Sequence, residues 1–178
     1  PCKPLNSQHM TKLSNNSLAL IALANEYCQA VEAARESERP EFVRSMLRLL
    51  PRIYIAASDI PAPMAETDGY IAPALDEDYY DAMRRAVETL LGEDDAYLDV
   101  FQEDMKYSDT PIAASIAEGV ADLFQVMYNF IEAVREAPTE LVTEAVDALR
   151  EDFVHYWSRT LCNVLRALNA VQTESADY

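Results

Sequence analysis

Apolar residues recur at helical spacing through most of the chain. From Ser17 to about Arg35, Leu20, Ile21, Ala24, Tyr27, Cys28 and Val31 share one face while Glu26, Gln29 and Glu32 fall elsewhere, which predicts an amphipathic helix. "ESERP" ends it, and "PEFVRSMLRLLPRIYIAASDI" begins a second, with Phe42, Met46, Leu49, Leu50, Ile53 and Tyr54 inward. Pro51 lacks a backbone donor, so this helix is expected to kink or split near Leu50. Arg44, Arg48 and Arg52 are spaced by four, a basic line expected to pair with carboxylates of this chain or a partner.

"DIPAPMAETDGYIAPALDEDYY" reads as a long proline-bearing connection, beyond the usual length of a structureless loop. Asp76 is a fitting N-cap for a third helix, "EDYYDAMRRAVETLL", closed by Gly92. In "GEDDAYLDVFQEDMKYSDT" the alternation is too weak to specify a strand. A helical turn or irregular segment is expected there, with Tyr97, Leu98, Val100 and Phe101 as buried candidates.

Thr110 as cap and Pro111 as first residue open the clearest helix, "PIAASIAEGVADLFQVMYNFIEAVREA". Ile112, Ile116, Val120, Leu123, Met127, Ile131 and Val134 make its apolar stripe. Ser115, Glu118, Asp122, Gln125, Asn129, Glu132 and Glu136 make the opposite one. Ala137-Pro138 is a short connection, and Thr139 is expected to cap a last helix running to about Val171; so short a turn makes the two helices antiparallel. On that last helix Phe153, Tyr156, Trp157, Val164 and Leu168 form the packing face. Glu151, His155 and Arg159 form an outward charge ladder.

The predicted fold is therefore all-α, a single-domain bundle of about five helices with a long acidic connection. The helical domain is expected over residues 13–171, with flexible tails at 1–12 and 172–178. Composition agrees: alanine and leucine abound, and only three glycines occur. A length of 178 residues suits one domain with a core that needs no disulfide or metal staple. "SLALIALAN" is too short an apolar run, behind too long a polar stretch, for a signal peptide, and no run is long enough to span a bilayer.

Charge narrows the partners. The formal net charge of −17 argues against nucleic acid and anionic membrane, and it permits a basic protein surface or a homo-oligomer. Between Asp59 and Asp109 fifteen carboxylates face three basic residues, a balance of −12, so most of the excess lies in this segment. Asp94, Asp95 and Asp99 are its candidate partner-facing residues. The three cysteines, Cys2, Cys28 and Cys162, are far apart and form no metal-binding or disulfide spacing, which suits a reducing cytoplasm.

Catalytic chemistry finds little support. A carboxylate di-metal centre needs two inward Glu-x-x-His pairs; here Asp152 precedes His155 by three, but the helical body holds no second histidine. Neither G-x-S-x-G nor a Cys-His arrangement occurs, and no glycine-rich phosphate loop is present. The acidic runs lack the order of an EF-hand, so no metal or cofactor is expected. The remaining candidate site is the lysine-free stripe Ser115, Glu118, Asp122, Gln125 and Asn129, read as a ligand or partner face. These readings point to a non-enzymatic acidic interaction protein. The alternative is a small-ligand or metal-binding protein using Glu118 and Asp122. A mimic of DNA would rest on net charge alone.

"SIAEGVADLFQVMYNFIEAV", then "FVHYWSRTLCNVLRAL", preceded by "YYDAMRRAVETLLGEDDAYLDVF", resembles the bacterial domain-of-unknown-function family 5063. The likeness runs from the first helix to Leu168 and is strongest after Tyr79. In that family a glycine commonly follows the tryptophan and a histidine the closing "LRAL"; this chain has Ser158 and Asn169 there. The resemblance implies a bacterial, helical, single-domain protein and carries no activity and no catalytic residues.

Overall fold

Ser14 opens the first helix by accepting a hydrogen bond from the Ser17 amide at 3.0 Å, which satisfies one of the free donors of the first turn. A computed structural model describes residues 13–63, 69–99, 107 and 110–174 of the chain. The expected tail at 1–12, and Val100 and Phe101 as buried candidates, lie outside the described residues.

Helix α1 covers Asn15–Glu32 and tightens into a 3-10 turn, Ala33–Glu36. Helix α2, Arg39–Ser58, then continues through Pro51 as one helix, so of the expected kink or split the split does not occur. Its inner face, Met46, Leu49, Leu50 and Ile53, is buried between α1 and α6, and that packing outweighs one missing donor. Tyr54 lies at the edge of this face, partly exposed. Of the basic line on α2, Arg52 pairs with Glu26 at 3.4 Å. Arg44 and Arg48 are exposed and have no partner among the described residues.

Helix α3, Glu77–Leu91, begins where Asp76 accepts from the Tyr79 amide at 2.7 Å. It ends at Gly92, whose φ of +59° favours a residue without a Cβ. A 3-10 turn, Gly92–Asp95, leads into a two-stranded hairpin that the weak alternation did not specify. Strand β1, Ala96–Asp99, pairs antiparallel with β2, Ile112–Ser115, with Ala96 opposite Ser115 and Asp99 opposite Ile112.

The start of the next helix therefore moves. Residues 112–115 give their backbone to the ladder, Ile112 is a partly exposed strand residue, and α4 covers Ile116–Val134 with Ser115, in place of Thr110, as its cap. Helix α4 packs against α1, α3, α5 and α6, and Val120, Leu123, Phe124, Met127 and Phe130 are fully buried at its centre. The Tyr27 hydroxyl crosses the core to donate to the Val120 carbonyl at 2.9 Å, so the burial of that polar group is compensated. Gly119 marks a close approach of α4 to α6: a Cβ there would lie 2.5 Å from Val164 Cγ2.

After α4 the chain turns through Glu136, at φ +58°, and Pro138 takes the cap position that the sequence suggested for Thr139. Helix α5, Thr139–Asp152, a π-turn at Phe153–Trp157 and helix α6, Ser158–Glu174, form one long rod that reaches three residues past 171. Counting this rod once, the described residues form a bundle of five helices with a small hairpin. The π-turn places one more residue in the turn than an α-helix does, which changes the register of the packing face. Phe153 and Trp157 point inward with ring centroids 4.6 Å apart, while Tyr156, expected on the same face, is 72% exposed. The Trp157 Nε1–H donates to the Leu149 carbonyl at 3.1 Å and ties the turn to α5. Among the described residues no helix is long and apolar enough to cross a membrane.

Candidate functional site

The lysine-free stripe of α4 does not act as one surface. Ser115 Oγ accepts from the Glu118 amide at 3.0 Å and donates to Asp95 Oδ2 at 2.7 Å, so it belongs to the helix start. Asn129 Oδ1 accepts from the Ala74 and Leu75 amides, both at 2.9 Å, and pins the proline-bearing connection to α4. Asp122 Oδ1 accepts from the Tyr80 hydroxyl of α3 at 2.7 Å. Glu118 and Gln125 are exposed, and neither side chain has a hydrogen-bond or ion-pair partner among the described residues.

The acidic triplet is likewise drawn into the fold. Asp94 pairs with Arg39, which also donates to the Leu91 carbonyl. Asp95 accepts from both Ser115 Oγ and the Ala117 amide, the latter at 2.7 Å, and so caps α4 from the hairpin side. Asp99 is buried in β1.

A depression of about 1200 Å³ lies over the outward face of α6. Asp122, Gln125 and Val126 of α4 line one flank, and Tyr54 of α2 contributes as well. Along α6, Arg159, Asn163 and Arg166 recur one turn apart, as the geometry of a helix dictates, and the π-turn adds His155, Tyr156 and Trp157. Among the described residues the side chains of Gln125, Arg159 and Asn163 have no hydrogen-bond or ion-pair partner. Of the candidate residues named from sequence, the depression brings Asp122, Gln125 and Asp99 to one place and leaves out Ser115, Glu118, Asn129, Asp94 and Asp95.

Burial, then the Asp122 hydrogen bond and the charges of Asp122 and Glu118, push the Tyr80 hydroxyl well above the ordinary phenol range. Burial and Glu32, whose carboxylate accepts from Tyr79 at 2.7 Å, do the same for Tyr79. The Cys28 thiol is pushed up to about 12 by burial and by the charges of Glu32 and Glu132, which disfavours the nucleophilic thiolate. His155 faces outward and pairs with Glu151 at 3.0 Å. Asp152 is raised by burial and Glu151, with His155 opposing. Among the described residues no three His, Cys, Asp or Glu side chains gather in a way that could hold a metal ion.

Sequence reasoning read Arg159 as a rung of a surface ladder and passed over Asn163. Their spacing of four was visible; the flank that α4 and Tyr54 supply was not, because it comes from residues over 30 positions away.

Comparison with known proteins gives the lineage of this arrangement. The crystal structure of protein BF1032 from Bacteroides fragilis superposes with a TM-score of 0.76 at 27% identity, covering 89% of this chain and 93% of that one. No curated protein matches the chain. The model of the domain of unknown function DUF5063 matches residues 11–174, and the chain belongs to that family.

Proposed function

We propose that this protein is a non-enzymatic recognition protein that docks a partner protein of overall basic charge on the depression over α6, where Arg159 meets a local acceptor group on that partner. The observation that carries the reading is the group Gln125, Arg159 and Asn163, unpartnered among the described residues, beside the exposed ring of Tyr156. Side chains that can donate and accept, next to an aromatic ring, are the anatomy of an interface patch. The net charge of −17 supports a partner of opposite sign, since long-range attraction speeds encounter while the local patch sets specificity. A cytoplasmic setting fits the spacing of the cysteines.

The test is co-purification of the tagged chain from its host over a salt gradient, alongside the variant Tyr156→Ser with Arg159→Ser. The reading expects a stoichiometric partner that salt releases and that the variant fails to hold. A partner held equally by the variant removes the depression from the account, and the absence of any partner removes the reading.

A small-ligand reading keeps one specific support, since Asp122 and Gln125 share a wall of the same depression. A ligand raising the melting temperature of the chain, but not of Gln125→Ala with Asn163→Ala, would favour it.

A further inference from the structure

On a chain with 31 acidic and 14 basic residues, arginines that converge on one hollow stand out electrostatically. Such a hollow, of about 550 Å³, lies between the junction of the 3-10 turn with α2 and the outer face of α3, and is lined by Arg35, Arg39 and Arg85. Its floor includes Ala34 and Ala86, both buried, and small side chains there leave room above them. Thr89 adds a hydroxyl, and Glu38 is the carboxylate among the lining residues.

We propose that this hollow is an anion-binding site for a small molecule bearing a phosphate or carboxylate group. A guanidinium carries five N–H donors in a fork that matches both groups, and here most of those donors are uncommitted. Arg35 makes one long bond, Nη2 to the Ala82 carbonyl at 3.5 Å. Arg39 engages Asp94 and the Leu91 carbonyl through the same Nη1. Arg85 reaches Asp81 through Nη2, at 2.6 Å.

The existing pairs are of a kind that can exchange. Arg85 is 69% exposed and Arg39 is 45% exposed, and ion pairs at such positions are held weakly because water screens them. Asp81 does not depend on Arg85, because Arg84 holds it through Nη2 at 2.8 Å and Nε at 3.2 Å. Arg84 is also the first cause of the lowered Asp81 carboxyl. An anion that draws Arg85 toward the hollow thus leaves Asp81 paired.

The experiment titrates the intact chain with inorganic pyrophosphate and, separately, with citrate at constant ionic strength. Calorimetry gives affinity, and NMR follows the arginine Nε–Hε signals. The proposal expects saturable binding of at least one anion with a Kd of roughly 1 mM or tighter. The Arg35, Arg39 and Arg85 signals should shift, while Arg44 and Arg48, exposed and outside the hollow, stay still. Arg35→Gln with Arg85→Gln should weaken binding about tenfold or more at unchanged helicity. Pyrophosphate alone would mark a phosphate site and citrate alone a carboxylate site, both within the proposal. No saturable binding, equal shifts at Arg44 and Arg48, or unchanged affinity in the double variant would overturn it.

Discussion

Gly119 offers the sharpest test of how α4 and α6 meet. In an exposed helix interior Gly→Ala gains about 1 kcal/mol from propensity. Here the added Cβ would sit 2.5 Å from Val164 Cγ2, and Val164 is fully buried, so its β-branched side chain has no free space to turn into. Overpacking of this kind costs about 1–3 kcal/mol, so Gly119→Ala should destabilise by roughly 1 kcal/mol net. For a chain of this size that is a fall of about 2–4 °C in Tm. Val164→Ala alone should cost about 2 kcal/mol, from two lost methyl groups and the space they leave. In the Val164→Ala background, however, Gly119→Ala should become stabilising by about 1 kcal/mol, because the clash is gone and the propensity gain remains. The assay is urea unfolding of the four proteins, followed by fluorescence of the single, buried Trp157 and by far-UV circular dichroism. A stabilising Gly119→Ala in the parent background, or the same cost in both backgrounds, would refute the close-approach argument.

Other contacts make shorter predictions. Asn129→Ala removes the acceptor for two amides and should cost about 0.5–1.5 kcal/mol and speed hydrogen exchange at Ala74 and Leu75; Asn129→Asp, which keeps an acceptor oxygen, should slow exchange again, and equal exchange in both variants would dismiss the pin. Asp95→Ala should cost about 1–2 kcal/mol through the lost cap of α4, measured by urea unfolding, whereas a free surface carboxylate would change little. Cys28, Tyr79 and Tyr80 all have raised folded pKa values, so the unfolded chain releases these protons first. Their contribution is complete below pH 9, and Tm should fall as pH rises from about 9 past 12; a Tm flat across that window would contradict the burial argument. At neutral pH a brief iodoacetamide pulse should label exposed Cys162 well before Cys28, read by peptide mass spectrometry.

The limits of the sequence show most clearly where hydrogen bonds join distant residues. Helix periodicity, the caps at Asp76 and Gly92 and the burial of Trp157 follow from local rules: 3.6-residue spacing, side-chain acceptors at helix starts, and positive φ at glycine. Those rules act within a few residues, and within that range the chain is legible. The hairpin escaped because β1 and β2 satisfy each other's backbone across a span with weak alternation. The π-turn escaped because it shows no period of its own, and with it went the placement of Tyr156. The polar stripe of α4 was visible as a stripe, yet its division was not. Asn129 is bound to the backbone at Ala74, Ser115 to Asp95 and Asp122 to Tyr80, from 20 to 55 positions away, leaving Gln125 to face the depression. The sequence by itself determined which residues could form helices and which faces they would bury, since both depend on neighbours along the chain. Only the tertiary structure decided which polar groups are left without a partner, because that depends on what the fold brings opposite each of them.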